Sequence, residues 1–228
     1  MAQIPLPLSF DKQFSLQNYF AENAAFISQS LTALFDETGE SLIGLWGGSD
    51  SGKTHLVNAC AHYARDCGIQ FHLFDASQLM TVAAQNFSDL PSGSVLGIDN
   101  LDLLAGHREW EEQCYQIINR VKAGEIRFIF TLSRLPRDIG FKLPDLKSRL
   151  NWGLMVALTM SDDASLESIL KQRAKLLGLE MSKEVLNYVL SHYSRKLSDQ
   201  MVLLYQLERA SLSKQRKITI PFIREICS

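Results

Sequence analysis

The distribution of apolar residues splits the chain into two regimes. Between residues 41 and 158, short apolar runs recur between longer segments of helical period. Leu42-Ile43-Gly44-Leu45-Trp46 and Ser94-Val95-Leu96-Gly97-Ile98-Asp99 are near-continuous runs of strand length, as strands buried on both faces require. Ile69 to Phe74 alternates and predicts a further strand, and Arg127–Ser133 and Gly153–Leu158 complete the set. Helical spacing predicts helices over 21–36, from His55 to Ala64, over 78–87 and over 108–123. The last of these directs Trp110, Cys114, Ile117, Ile118 and Val121 inward. Strands alternating with helices predict an α/β sandwich around a mainly parallel sheet.

From Ser161 onward the period is helical alone. Ser161 can cap a helix carrying Leu166, Ile169, Leu170, Leu176 and Leu177, which Gly178 stops. Ser182 caps a second, a third covers about 197–212, and a short one starts at Pro221, which suits a first helical position. The expected organisation is an extended tail over 1–10, an α/β domain over 11–160 and a small all-α domain over 161–228.

The totals bound this picture. At 228 residues and 46% hydrophobic, the chain can bury a sizeable core. A net charge of −2 gives no strongly basic nucleic-acid footprint, although a local patch stays open. The four cysteines form no C-x-x-C pair and no zinc spacing, as expected of scattered thiols in a reducing compartment. His55 and His62 are too far apart for a one-turn metal pair. No apolar run approaches membrane-spanning length and no leader-like N-terminus is evident, so a cytoplasmic protein is expected, with no membrane partner.

The chemistry concentrates at Gly47-Gly48-Ser49-Asp50-Ser51-Gly52-Lys53-Thr54, which fits G-x-x-x-x-G-K-[ST]. Gly47 and Gly52 let the backbone approach a ligand and turn successive N–H groups inward on phosphate oxygens. Lys53 can reach the outer phosphates, and the Thr54 hydroxyl can hold Mg²⁺. A strand before and a helix after give this loop the context a phosphate site needs, with the helix N-terminus facing the anion. Asp99, at the tip of the strand from Ser94, is the second half of such a site, a carboxylate that holds Mg²⁺ directly or through water. The next residue is Asn100. An amide cannot take a proton from an attacking water, so intrinsic hydrolysis is expected to be weak or absent. Asp102 is expected to cap a short turn. Thr131 or Ser133 could touch a γ-phosphate, or could simply mark a strand-to-loop transition. Phe14, Tyr19 and Phe20 could cover an adenine ring or pack on the core. Gln3, Ile4, Pro5, Leu6, Pro7 and Leu8 could be a peptide ligand for a partner's groove or could fold back on their own domain.

The order of phosphate loop, strand-tip aspartate and helical lid resembles the AAA+ ATPases. Gly-Lys-Thr-His-Leu at 52–56, Ile-Asp-Asn at 98–100, Leu-Pro-Asp-Leu-Lys-Ser-Arg-Leu at 143–150 and Ile-Pro-Phe-Ile-Arg-Glu-Ile at 220–226 resemble the bacterial DnaA family, including its short Hda-type members. The resemblance implies a P-loop AAA+ sandwich plus a helical lid. It implies nucleotide contacts from Gly47, Gly48, Ser49, Asp50, Ser51, Gly52, Lys53, Thr54 and His55, and a magnesium site at Thr54 and Asp99. It implies ADP, or another nucleoside di- or triphosphate, with Mg²⁺. Arg149 matches an arginine finger that acts in trans on a partner's nucleotide; taken alone it reads as a surface ion pair. The lid arginine of the family should fall near 198, where serine stands, and Arg195 is the nearest match. Gln3 to Leu8 is similar to the clamp-binding peptide of Hda-type members. The chain ends where DnaA continues into a DNA-binding domain. The implied partners are DnaA and the DNA polymerase III sliding clamp, with DNA reached indirectly through the clamp and self-association left open. The implied role is repression of replication initiation. The rival readings are a helicase loader of the DnaC type and a metabolic phosphate-loop kinase.

Overall fold

Strand β1, Leu42–Trp46, sits inside a five-stranded parallel sheet, and its phosphate-loop turn opens at the sheet's carboxyl edge. A computed structural model of the chain describes residues 14–19, 21, 23–36, 39–81, 87–159 and 163–227, with backbone alone at 88 and 163–165. Residues 1–13, with the peptide Gln3–Leu8, lie outside that set. The described residues fall into two compact units that meet near residue 160 in the sequence.

The first unit is built on strand order β2-β3-β4-β1-β5, with β2 at Phe71–Asp75, β3 at Val95–Asp99, β4 at Arg127–Leu132 and β5 at Leu154–Ala157. All four pairings are parallel. Alternation along the strands divides the core between the two faces. Ile43, Leu45 and Ile129 join helices α1 (Ala24–Ala33) and α2 (Lys53–Asp66) through Ile27, Leu31, Leu56, Val57 and Cys60. Leu96, Ile98, Phe128 and Phe130 join Trp110, Ile117, Ile118, Leu146 and Leu150 on the other face. Neighbours such as Phe128 and Ile129 thus serve opposite layers, as the two-residue period of a strand requires.

Two expectations change, and one further helix appears. Where a helix is expected over 78–87, α3 spans Ala76–Leu79; Asp75 sets its start, its Oδ1 accepting from the Ser77 N–H at 2.8 Å, and a turn follows at 80–81. Residues 82–86 lie outside the described set. Asp102 is not the cap of its turn: the N-cap is Asn100, and Asp102 lies within the 3-10 turn Leu101–Leu104 and accepts from the Ser133 hydroxyl. The segment after Pro144 is a helix, α5 (Pro144–Leu150), with proline at its first position. Helix α4, Arg108–Lys122, carries the five inward residues expected and one more, Glu111, whose carboxylate is fully buried.

The second unit is all helical: α6 (Asp163–Leu176), α7 (Lys183–His192), α8 (Leu197–Lys214) and α9 (Ile220–Cys227). Ser182 caps α7 by accepting from the Val185 N–H. Leu170, Val189, Leu204, Leu207, Phe222 and Ile223 form its core. Among the described residues no helix is long and apolar enough to cross a membrane.

Candidate functional site

The site is assembled where β1, β3 and β4 end. The loop leaving β1 turns back to start α2, and Gly52 makes that turn with φ +88°. A Cβ there would lie 2.6 Å from Cε2 of Tyr19, so glycine is required both by conformation and by space. Tyr19 is buried and donates its hydroxyl to the Ser51 carbonyl at 3.2 Å. Burial pushes that phenol up to about 12. The aromatic segment upstream therefore braces the phosphate loop from outside. Phe14 stands between His55 and His62 with ring centroids 5.6 and 6.2 Å away, and His55 Nε2 lies 3.0 Å from the Ser15 carbonyl. Phe20 lies outside the described residues.

Inside the loop, Lys53 folds back so that its ammonium donates to the Gly47 carbonyl at 2.8 Å and to the Gly48 carbonyl at 2.5 Å. Ser51 donates to the Gly48 carbonyl at 2.9 Å. Burial holds the Lys53 ammonium below the usual lysine range, against the opposing pull of Asp99, Asp102 and Asp50. Ser49 and Asp50 form the outer turn, with Asp50 at φ +60°.

Asp99 is buried at the end of β3 and is the hub. Its Oδ2 accepts from the Thr54 hydroxyl at 2.6 Å, and its Oδ1 accepts from the Thr131 hydroxyl at 2.5 Å. Thr131, fully buried at the end of β4, also accepts the Asn100 N–H at 2.7 Å. A hydroxyl and a carboxylate at this spacing suit a hard cation such as Mg²⁺, which takes one or two protein oxygens and keeps water and phosphate for the rest. Among the described residues no three His, Cys, Asp or Glu side chains group to hold a metal by themselves.

The sequence reading missed Asp75. It closes β2, is the Cα partner of Asp99, and accepts from the Asn100 amide at 3.1 Å. Only the β2–β3 register brings it to the site, so no local motif signals it. Ser133 bonds to Asp102 at 2.6 Å rather than to Asp99.

Arg149 lies elsewhere on the same unit. Its guanidinium sits 4.1 Å from the centroid of the Tyr115 ring and donates to Asn119, both on α4. It is half-buried, and it makes no ion pair with an acid among the described residues. Stacking and a single amide acceptor leave its planar fork charged and oriented. Arg195 is exposed in the turn before α8, in the helical unit.

Residues 15–157 match the family model described as the bacterial DnaA ATPase domain, and residues 154–227 match the lid domain of Hda. Domain III of the replication initiation protein DnaA from Thermotoga maritima shares the fold with a TM-score of 0.78 at 18% identity, covering 97% of each chain. DnaA from Aquifex aeolicus in its AMPPCP-bound form gives 0.67 at 20% identity, over 89% of this chain and 70% of that one. RuvB from Thermotoga maritima, also similar, gives 0.69 at 19% identity, over 95% and 72%. A phosphate loop with its strand-tip aspartate on a DnaA-type α/β unit, followed by an Hda-type lid, places this chain in the bacterial DnaA family of AAA+ proteins, as an Hda-like member.

Proposed function

We propose that the chain is a nucleotide-holding regulator of replication initiation that activates hydrolysis in DnaA rather than hydrolysing nucleotide itself. The observation that carries this reading is at the end of β3. Asp99 is paired with Thr54 as a magnesium site requires, and the next residue is an amide, Asn100, tied to Asp75. Such a site retains a nucleoside diphosphate or triphosphate but supplies no proton acceptor at the position following the aspartate.

Within this reading, the loop N–H groups of Gly47–Thr54 and the Lys53 ammonium bind the phosphates, which displace Lys53 from the Gly47 and Gly48 carbonyls. Thr54 and Asp99 are the residues that would hold Mg²⁺, which would supply neutralisation of phosphate charge. His55 lies at the start of α2 and Arg195 in the helical unit, and both are assigned to the nucleotide on the family pattern. ADP is the resident nucleotide; DnaA relatives with this fold hold the triphosphate analogue AMPPCP. Residues Gln3–Leu8 dock on the DNA-loaded sliding clamp. Arg149 then reaches the ATP held by DnaA. Its stacking on Tyr115 supports this, since the guanidinium is held oriented without being neutralised.

The test is single-turnover hydrolysis of labelled ATP on DnaA, with clamp-loaded DNA and equal amounts of each variant. Arg149→Ala is expected to lower the stimulation by about two orders of magnitude, near the low end of an arginine finger's worth. Arg149→Lys is expected not to restore it, because an ammonium lacks the fork. Full stimulation by Arg149→Ala would remove the trans role.

A further inference from the structure

The amide that follows Asp99 faces a carboxylate one strand away. Asp75 and Asp99 are register partners at the ends of β2 and β3. Asp75 Oδ2 accepts from the Asn100 side-chain amide at 3.1 Å, and Asp75 Oδ1 accepts from the Ser77 N–H at 2.8 Å. Asn100 is held at its backbone too: its φ is +58°, and its N–H donates to Thr131, which donates to Asp99. The orientation of the amide is therefore decided by Asp75. Its nitrogen faces the carboxylate, and its carbonyl end makes no hydrogen bond among the described residues.

We propose that Asp75 and Asn100 are an acid–amide pair, with the carboxylate on β2 and the amide after the β3 aspartate, and that this arrangement keeps a bound triphosphate from being hydrolysed. Asp75 is the positioning residue of the pair. The proposal rests on the reading that nucleotide occupies the phosphate loop.

The chemistry is specific. As the oxygen of an attacking water bonds to the γ-phosphorus, the bond from that phosphorus to the β–γ bridging oxygen breaks. Its electron pair leaves with the nucleoside diphosphate, and the water's proton needs an acceptor. Asn100 can orient a water through its carbonyl but accepts no proton. Asp75 is ready to accept one by type, but both its oxygens already receive hydrogen bonds, from Asn100 and from the first turn of α3. The pair thus splits the two requirements, position and basicity, between two residues.

The same geometry says how hydrolysis is unlocked. N100D alone sets two acceptor carboxylates face to face, so residue 100 loses the donor–acceptor contact with Asp75 that orients it. D75N together with N100D restores one donor amide and one acceptor carboxylate, now with the acid after Asp99. The experiment measures ATP turnover, fluorescent-nucleotide affinity and melting temperature for the full-length wild type, N100D, D75N/N100D and K53A/D75N/N100D. The double variant is expected to turn over ATP at least about tenfold faster than N100D at equal nucleotide occupancy, a modest share of what a general base supplies. Adding K53A is expected to abolish the gain. Equal rates for N100D and the double variant would overturn the proposal, because Asp75 would then play no part. A double variant that binds nucleotide without exceeding wild-type turnover would overturn it as well. Wild-type protein that fails to bind nucleotide would instead overturn the reading beneath it. If D75N/N100D melts below the assay temperature, D75S/N100D keeps a capping side chain on α3 and carries the same expectation.

Discussion

Thr54 and Asp99 stand 45 residues apart in the chain, yet the threonine hydroxyl donates to the aspartate at 2.6 Å. Asp99→Asn keeps the shape and removes the charge that a cation needs. Nucleotide affinity is expected to fall by about tenfold or more with Mg²⁺ present, the order seen when metal-supporting groups are lost. The fall should be much smaller in EDTA. Titrating a fluorescent nucleotide under both conditions decides it, and an equal loss in both would mean that Asp99 supports the loop rather than a metal.

Gly52→Ala combines two faults, a left-handed φ of +88° and a Cβ 2.6 Å from the Tyr19 ring. Strain of this kind costs about 1–3 kcal/mol. The melting temperature is expected to fall by several degrees, at roughly 2–4 °C per kcal/mol for a chain of this size. Tyr19→Ala removes the clash but not the φ penalty. Relative to Tyr19→Ala alone, Gly52→Ala should therefore cost less than it does in the wild type. Additive losses would show that the ring yields freely.

Glu111 predicts a stability effect far from the site. Its carboxylate accepts the N–H of Gly106 at 2.7 Å, of Lys142 at 2.9 Å and of Leu143 at 2.7 Å, all backbone groups. Glu111→Ala leaves three donors without an acceptor, at a cost on the order of 3 kcal/mol or more. Glu111→Gln retains one acceptor oxygen and should cost less. Chemical denaturation of the two variants, compared by midpoint at constant slope, reads the difference, and equal midpoints would mean that the three donors find other acceptors.

The N-terminal peptide is tested separately from the nucleotide site. Deleting residues 1–8, or changing Gln3 and Leu6 to alanine, is expected to abolish binding to immobilised sliding clamp while nucleotide affinity stays as in the wild type. Unchanged clamp binding by the deletion would assign docking to another surface.

What the sequence revealed depended on how local each feature is. The phosphate loop is eight consecutive residues with a strand before and a helix after, so it was legible outright, as was Asp99 at the end of an apolar run. Asp75 was not, because its partner Asn100 lies on another strand and only the β2–β3 register joins them. Glu111 looked like any charge on an amphipathic helix, since two of the three N–H groups that donate to its carboxylate come from Lys142 and Leu143, 31 and 32 residues on. Of the helix expected over 78–87, the described residues hold only the end of α3, which starts at Ala76 behind the Asp75 cap, a turn at 80–81 and the start of a 3-10 turn at Phe87. Arg149 was legible only by likeness. Its stacking on Tyr115 comes from the packing of α4 on α5, which no spacing along the chain announces.

The hub at Asp99 ties three stretches of chain together, its own β3, Thr54 after β1 and Thr131 on β4. A nucleotide seated there would be a fastener across strands that are not neighbours in sequence. The unfolded chain offers no such arrangement, so ligand occupancy would be converted into fold stability, about 2.7 kcal/mol at a hundredfold excess over Kd. The chain's heat resistance would then rise with the concentration of free nucleotide around it.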